Sequence, residues 1–242
     1  MKKRNKMKKL IILLLFVSQV AFGQSTSRQY LGLSAGPSFP LEDFKKNILS
    51  DSTSGFAKTG FAISFNYTYR FTHNFGMELL INYSTNALDN TSYKNALEAE
   101  HPDYGVSIES TKNWSSGGIF IGPYLRFPLG DKLTWDIRAL GGYFGAYSPN
   151  ATIRTTNKND LNDKGEYYLV SSRASNFGYV IGTGFKYRVN SSYYALLHGD
   201  YTSSTVKFKD SSGWDWDGQP YNNPFSQNIN YMTVTIGVGY VL

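Results

Sequence analysis

The C-terminal stretch, residues 231–242, constrains the fold most, because it alternates strictly between apolar and small polar side chains. It reads Tyr-Met-Thr-Val-Thr-Ile-Gly-Val-Gly-Tyr-Val-Leu. The apolar row consists of Met232, Val234, Ile236, Val238, Tyr240 and Leu242. The other row consists of Thr233, Thr235, Gly237 and Gly239. A period of two indicates a β-strand whose faces meet different surroundings. The chain is therefore expected to end on a strand with one face in an apolar medium.

Residues 1–23 have the three-part form of a secretory signal peptide. Basic residues precede a short apolar run at residues 10–20, and Ala21-Phe22-Gly23 follows. The run is too short for a membrane-spanning helix. We expect cleavage before Gln24, which leaves one mature domain at residues 24–242. The chain contains no cysteine, so disulfides, thiolate chemistry and a lipid-anchored cysteine are excluded.

The basic charge of the whole chain belongs to this leader. Residues 1–23 hold six of the 24 Lys and Arg but none of the 18 Asp and Glu, so the mature domain has 18 of each sign. A neutral domain gives no support for nucleic-acid binding, which needs a basic surface. The 19 Tyr, 16 Phe and 23 Gly, without a long apolar run after the leader, suit a membrane barrel.

Seven further segments alternate like the last one and are predicted to be strands. Together with the closing strand, the predicted strands are residues 29–38, 59–71, 75–85, 114–129, 132–147, 175–189, 193–205 and 231–242. The connections are long after the first, third, fifth and seventh strands and tight after the others. This pattern predicts an all-β fold, an up-and-down antiparallel transmembrane β-barrel with short periplasmic turns and long extracellular loops. Eight strands are expected, with ten as the alternative.

The export signal, the alternating strands and the amphipathic closing strand resemble the small outer-membrane barrels of the OmpA and OmpX kind, in the version common in Bacteroidetes. The resemblance implies a place in the outer membrane of a Gram-negative bacterium, in contact with its lipid. It also implies that the last strand pairs with the first and is recognised by the assembly machinery. Leu242 departs from the aromatic residue that the family more often has there. Such a resemblance implies function only weakly, and a monomer is the default.

Several ionisable side chains fall on the rows predicted to face the barrel lumen. They are Arg70, Glu78, Arg126, Asp136, Arg138, Lys186, Arg188, His198 and Asp200. A hairpin centred on Asp131 places Arg126 opposite Asp136, which predicts an ion pair inside the lumen. Glu78 and Lys186 lie at distances from their turns that are similar to those of Arg126 and Asp136. These four side chains are therefore predicted to form one charged layer across the lumen. Side chains fill the interior of an eight-stranded barrel, so this layer should plug it. A narrow, porin-like solute path is the alternative.

Catalytic motifs lack the context that their chemistry needs. Residues 32–36 match G-x-S-x-G, but they lie inside a strand rather than at a strand-to-helix turn. Outer-membrane lipid A deacylases use a His and a Ser two residues apart, and His73, His101 and His198 do not fit that spacing. A lipid-modifying enzyme is therefore a minor alternative. We assign no catalytic residue, no cofactor and no metal ligand.

The long loops hold two acidic clusters, at residues 160–165 and 215–218, and a group of aromatic residues. Each cluster resembles the start of a calcium loop. For the first cluster, however, Lys164 and Ser171 stand where acidic ligands are expected. Solvated turns are therefore the simpler interpretation. The aromatic residues that could contact a protein or a glycan are Trp214, Trp216, Tyr221 and Phe225.

A protruding hairpin is predicted between the fifth and sixth strands. Residues 151–156 and 166–172 are β-prone and flank a turn-like segment. Residues 104–110 and 205–209 are expected to join them in an exposed sheet with free edges, which could bind another chain by strand addition. Function is therefore expected in adhesion, partner binding or envelope structure, through the extracellular loops.

Overall fold

The computed structural model describes residues 28–215 and 217–242 and shows a closed antiparallel barrel of eight strands. The signal-peptide prediction, at residues 1–23, lies outside the described residues. The barrel strands are β1 (Gln29–Pro40), β2 (Gly60–Arg70), β3 (Phe75–Asn86), β5 (Trp114–Pro128), β6 (Leu133–Tyr147), β9 (Arg173–Arg188), β10 (Tyr193–Phe208) and β13 (Phe225–Val241). The neighbours around the barrel run β1-β13-β10-β9-β6-β5-β3-β2, and β2 returns to β1. The prediction of eight strands is confirmed, and the alternative of ten is wrong.

The last strand closes the barrel against the first. Leu31 of β1 lies opposite Tyr240 of β13, and Leu33 lies opposite Val238. The apolar row of the C-terminal stretch faces outward, where Ile236 and Val238 are exposed. The small row faces inward, and Thr233 and Thr235 are buried. This distribution is the reverse of a water-soluble barrel, because apolar side chains cover the outside.

Several barrel strands extend further than the alternation predicts. β9 begins at Arg173, β10 continues to Phe208 and β13 begins at Phe225. The added pairs include Val206 opposite Gln227. In these added segments apolar side chains such as Val206 and Phe208 are buried inside the barrel, while Lys207 between them faces outward, so the contrast is the reverse of the one that marks the lipid-facing strands.

The two ends of the barrel differ in their connections. Residues 71–74, 129–132 and 189–192 make tight turns at one end, which we call the turn end. Gly130 has a φ of 115° in one of them, a conformation that glycine adopts without strain. Residues 41–59, 87–113, 148–172 and 209–224 make long connections at the other end, the loop end. Within the described residues, no helix is long and apolar enough to cross a membrane.

A second, smaller sheet stands on the loop end. Its strands, in the order β12-β11-β8-β7-β4, are Pro220–Asn222, Ser212–Trp214, Lys164–Leu169, Ala151–Asn157 and Tyr104–Glu109. Helix α2 (Asn90–Glu100) packs on one face, where Val106, Ala151 and Ile153 form a core with Tyr93 and Leu97. We call this sheet and α2 the loop module.

The first long connection closes the barrel mouth. Its short helix α1 (Glu42–Lys45) places Phe44 among buried side chains of the barrel, 5.6 Å from the ring of Trp114. The Trp114 indole N–H donates to the carbonyl of Gly55 at 2.8 Å, and the ring of Phe208 lies 5.9 Å from the Trp114 ring. These aromatic side chains form an apolar layer at the loop end of the lumen.

Candidate functional site

Arg138 is the centre of the buried charges in the lumen. Its Nε and Nη2 donate to the two carboxylate oxygens of Asp200 at 2.8 and 2.7 Å, and its Nη1 donates to Glu78 at 2.5 Å. The hydroxyl of Thr68 donates to the other oxygen of Glu78 at 2.8 Å. Bidentate arginine–carboxylate pairs are among the strongest hydrogen-bonded contacts. One guanidinium therefore forms ion pairs with both carboxylates.

Glycine on the intervening strand makes room for this pair. Gly182 of β9 lies in register with Arg138 on one side and Asp200 on the other. A Cβ at Gly182 would overlap the Asp200 carboxylate. The small inward residue thus allows two long side chains to meet across a strand.

A second ionic contact joins Lys186 to Asp136, with 3.5 Å between the ammonium and the carboxylate. Lys186 also donates to the hydroxyl of Tyr124 at 3.0 Å, and that hydroxyl donates to Asp136 at 3.4 Å. The predicted register is present, with Arg126 opposite Asp136. The predicted ion pair between them is wrong, because Arg126 points to the hydroxyl of Thr134 at 3.2 Å and the neighbouring strand β9 supplies Lys186 instead.

The remaining predicted lumen residues lie in different surroundings. Arg188 is exposed at the turn end and donates to the carbonyl of Asp131. His198 is buried in the lumen, where neither ring nitrogen has a partner among the described residues. Arg70 is buried with its guanidinium 4.9 Å from the ring centre of Tyr30. The charged layer is therefore made by Glu78, Asp136, Arg138, Lys186 and Asp200, and Arg126 and Arg188 lie at its rim.

The charged layer and the apolar layer fill the lumen of the described barrel. Two cavities within it have volumes of about 10 Å³ each. That volume accommodates about one water molecule. Above the charged layer, Phe44, Phe120, Phe144 and Phe208 are fully buried. Side chains, rather than a continuous solvent path, occupy the interior.

The inner face of the loop module is rich in tyrosine. The rings of Tyr167 and Tyr221 stack with 5.0 Å between their centres, and Tyr93 lies 4.8 Å from Phe56. Burial raises the pKa of Tyr93 to about 12 and raises the pKa of Tyr221 as well. Tyr93 and Tyr167 line a cleft of about 300 Å³ between the module and the barrel mouth and a second cleft of about 550 Å³ within the module, between α2 and the sheet. The side chains of the inner face are therefore ordered, and clefts remain between them.

The outer face of the module is open to solvent. The guanidinium of Arg154 on β7 lies 3.1 Å from Glu109 and 3.3 Å from Glu166 on the flanking strands. On β11, Trp214 is 48% exposed and lies 5.6 Å from the ring of Tyr168. This face combines charged and aromatic side chains on a rigid sheet.

The two edges of the sheet are partly covered. At β4 the side chain of Glu98 accepts a hydrogen bond from the backbone N–H of Val106 at 2.9 Å, which covers the edge. This bond lowers the pKa of Glu98. At the other edge β12 is three residues long and begins with Pro220, which has no N–H. The sheet is open, with β12 and β4 at its edges, and these features limit the backbone groups that remain free along them. Residues 205–209 also stay with the barrel, since β10 pairs with β13 as far as Phe208.

The acidic clusters cap turns. Asp160 accepts from the N–H of Asn162 at 3.0 Å, and Asp215 accepts from the N–H groups of Asp217 and Gln219 at 3.1 and 2.8 Å. Across residues 28–215 and 217–242, no group of three His, Asp or Glu side chains is placed to hold a metal ion.

The four aromatic residues that were predicted to contact a protein or a glycan do not lie together. Trp214 is exposed, whereas Tyr221 faces inward and Phe225 stacks on Phe208 at 4.7 Å between ring centres. Trp216 lies outside the described residues. Sequence reasoning missed Phe44 and Glu98; a lone aromatic residue in a polar loop was the available signal for Phe44.

The sequence matches a family described as "Outer membrane protein beta-barrel domain" over residues 10–241. The chain belongs to this family. Its members lie in the bacterial outer membrane, so the apolar outside of the barrel faces lipid. In such barrels the short turns are periplasmic and the long loops extracellular, which places the loop module outside the cell.

Comparison with solved structures finds similar barrels at low identity. Ail, the attachment invasion locus protein of Yersinia pestis, is 12% identical, with 90% of this chain and 100% of that chain covered and a TM-score of 0.44. Neisserial surface protein A is 10% identical, with the same coverage and TM-score. A major outer membrane protein from Thermus thermophilus is 11% identical, with 90% and 100% covered and a TM-score of 0.49. Comparison with curated proteins finds no match.

The outer-membrane barrel carries aromatic residues near both ends of its lipid-facing surface. Near the periplasmic end, Phe127 lies 5.1 Å from Trp135 and Tyr193 lies 5.3 Å from Tyr240. Near the extracellular end, Tyr143 and Phe177 are exposed. Aromatic rings of this kind settle at the membrane interfaces.

Proposed function

We propose that this outer-membrane barrel is not an enzyme and acts by binding a protein or a glycan at the cell surface through the outer face of its loop module. The observation that carries this proposal is that the loops fold into a sheet with its own core while the lumen is filled. Loops that only connect strands need neither a helix nor a buried core. An ordered sheet instead presents its side chains in fixed positions, which reduces the entropy lost on binding.

The aromatic pair on the outer face is the proposed centre of contact. Trp214 and Tyr168 are side chains of the kind that dominate binding surfaces, and the ions of Glu109, Arg154 and Glu166 lie on the same face. Binding by the face is favoured over binding by strand addition, because Glu98 occupies one backbone N–H of β4 and β12 is only three residues long and begins with Pro220.

A porin-like channel and a lipid-modifying enzyme are the alternatives. The two lumen cavities of about 10 Å³ give a solute no room. The three histidines lie apart in the fold, since His73 is in a periplasmic turn, His101 follows α2 and His198 is in the lumen. Both features support a binding role rather than transport or hydrolysis. Assembly through the C-terminal strand and export by the leader are part of the same proposal.

A deletion of the central hairpin tests the proposal. Ser148 and Ser172 pair at the base of the hairpin, with 2.9 Å between the N–H of Ser148 and the carbonyl of Ser172. Residues 149–171 can therefore be replaced by Asn-Gly, a two-residue turn. We expect the variant to fold and insert but to lose adhesion of expressing cells to immobilised glycans and surface proteins. Trp214→Ala should weaken the same adhesion, whereas Tyr221→Phe, its matched control on the inner face, should not.

Three measurements would contradict the proposal. One is unchanged adhesion after the hairpin is deleted from a correctly folded barrel. Another is steady ionic conductance of the purified full chain in planar bilayers, which would favour a channel. The third is lipid A that changes in mass when the protein is expressed, which would favour an enzyme.

A further inference from the structure

The lipid-facing rows of the barrel strands are almost free of charge. Along the outward positions of the eight strands, Arg173 and Lys207 are the only charged residues. Both are positive, and both lie near the extracellular ends of the neighbouring strands β9 and β10. A charge on the lipid face costs least near an interface. The positions of these cations are compatible with the membrane, but they do not by themselves indicate what the cations bind.

Arg173 ends a row of polar side chains that crosses four strands on the lipid-facing side. Thr85 of β3 lies opposite Ser115 of β5, Ser115 lies opposite Tyr147 of β6, and Tyr147 lies opposite Arg173 of β9. A groove of about 300 Å³ lies along this row. Its lining consists of Thr85, Lys112, Asn113, Ser115, Tyr147 and Ser171. The groove is on the outside of the barrel, so a lipid headgroup can reach it from the membrane.

The side chains around the groove are held in place. The guanidinium of Arg173 lies 5.7 Å from the ring centre of Tyr147 and donates to the hydroxyl of Tyr143 at 3.4 Å. The loop that carries Lys112 is fixed by Asn150, whose side-chain oxygen accepts from the N–H of Lys112 at 2.8 Å. The same oxygen accepts from the N–H of Thr111 at 3.1 Å. Lys112 and several hydroxyl groups therefore line the groove on a fixed backbone, and Arg173 lies beside it, against the ring of Tyr147.

The two cations have no internal counterion. Within residues 28–215 and 217–242, neither Lys112 nor Arg173 forms an ion pair. The acid nearest to Lys112 in the sequence, Glu109, is bound to Arg154 at 3.1 Å. The acidic residues of α1 lie against β13, where Glu42 and Asp43 accept from Asn230 and Asn228 at 2.7 Å. The groove thus combines positive charge with hydroxyl and amide donors and contains no carboxylate in its lining.

We propose that this groove binds the phosphate of a glycolipid headgroup in the outer leaflet. A phosphate accepts hydrogen bonds at several oxygens and pairs with Arg and Lys together. The aromatic face of Tyr147 can lie against a sugar ring beside it. A membrane lipid is the occupant because the groove opens on the lipid-facing side, beyond the exposed rings of Tyr143 and Phe177. The site is separate from the loop module's outer face, so the proposal stands whether or not that face binds a partner.

Titration of the full chain with labelled lipid A tests the proposal. The protein is held in zwitterionic micelles, and binding of diphosphorylated lipid A is compared with binding of its dephosphorylated form. Arg173→Gln and Lys112→Gln should each weaken binding about fivefold, and the double variant should weaken it about 25-fold. Lys207→Gln is the matched control, since it removes the other lipid-facing cation without changing the groove; it should alter binding less than about twofold. Heat-dependent migration on gels verifies that every variant is folded.

Three outcomes would overturn the proposal. Equal affinity for the dephosphorylated lipid would show that phosphate is not recognised. Equal losses in Lys207→Gln and Arg173→Gln would show general attraction to an anionic micelle. Displacement of the lipid by inorganic phosphate at the same concentration would show a site for free anions rather than for lipid.

Discussion

Two arginines in this chain each join two carboxylates across neighbouring elements, one inside the lumen and one on the loop module. Arg138 contacts Glu78 at 2.5 Å and Asp200 at 2.7 Å, and its side chain is 1% exposed. Arg154 contacts Glu109 at 3.1 Å and Glu166 at 3.3 Å, and its side chain is 49% exposed. The charges and the geometry are alike, but only the lumen residues have lost their water.

The difference in hydration separates the two parts of the molecule. In the lumen an ion without its partner cannot be solvated, so each charge depends on the others and the layer behaves as a unit. On the module water competes for the same charges, so the pairs contribute little to stability. The barrel is therefore sensitive to the loss of a single lumen charge, whereas the module depends on the small core around Val106 and Ile153.

The largest expected effect tests the lumen arginine. Arg138→Ala leaves Glu78 and Asp200 buried without a cation, so we expect the free energy of unfolding to fall by at least about 3 to 5 kcal/mol. Urea unfolding in lipid vesicles measures it. Adding Glu78→Gln and Asp200→Asn should restore part of the loss because no charge is left unpaired. If Arg138→Ala lowered the free energy of unfolding by no more than Arg154→Ala, the buried and the exposed arginine would contribute equally to stability, against our expectation.

The next effect distinguishes the two cations near Asp136. Lys186→Ala should cost about 3 kcal/mol, because Asp136 is fully buried and Lys186 is its ion-pair partner. Arg126→Ala should cost about 1 kcal/mol or less, since Arg126 is half-buried and bonds to Thr134. The same unfolding assay decides between them. A larger loss for Arg126→Ala would show that Asp136 pairs with Arg126, as the hairpin register alone suggests.

A pH effect is expected at the edge of the module. The N–H of Val106 donates to Glu98 and lowers the pKa of Glu98 below its ordinary value of about 4.3. A lowered pKa means that the contact stabilises the module above about pH 4.3 and loses that effect as the pH falls through the lower, folded value. Amide exchange of Val106 should thus lose protection on acidification while the barrel amides keep theirs. Glu98→Ala should remove the protection of the Val106 amide at every pH. Protection that persists in this variant would show that another group accepts the hydrogen bond from Val106.

The smallest effect belongs to the module arginine. Arg154→Ala should leave unfolding of the barrel unchanged, because its two carboxylates remain hydrated when the cation is removed. Side-by-side unfolding curves of Arg154→Ala and Arg138→Ala give the comparison directly. A clear loss of barrel stability in Arg154→Ala would show that module and barrel unfold as one unit.

Sequence reasoning reached the barrel more completely than the module. The alternation predicted the lipid-facing rows, and the turn centred on Asp131 predicted that Arg126 lies opposite Asp136. It failed at the choice of ion-pair partner, since Asp136 has strands on both sides and β9 supplied Lys186. It did not reveal the partial cover on β4, because no local pattern indicates that Glu98 reaches Val106. In the loops the strands are short and their apolar face packs on α2 rather than on lipid, so alternation does not show which elements meet there.

The sequence by itself determined the strand number, the order of the hairpins and which side chains face lipid, because a lipid environment imposes a period of two that is visible in the residues. Only the tertiary structure decided which charges meet in the lumen, how Phe44 closes the mouth and how two separate loops supply β11 and β8 to one sheet. These contacts join residues far apart in the chain, and their energies depend on burial that no local segment reveals. The row from Thr85 to Arg173 arises in the same way, from the register of four strands.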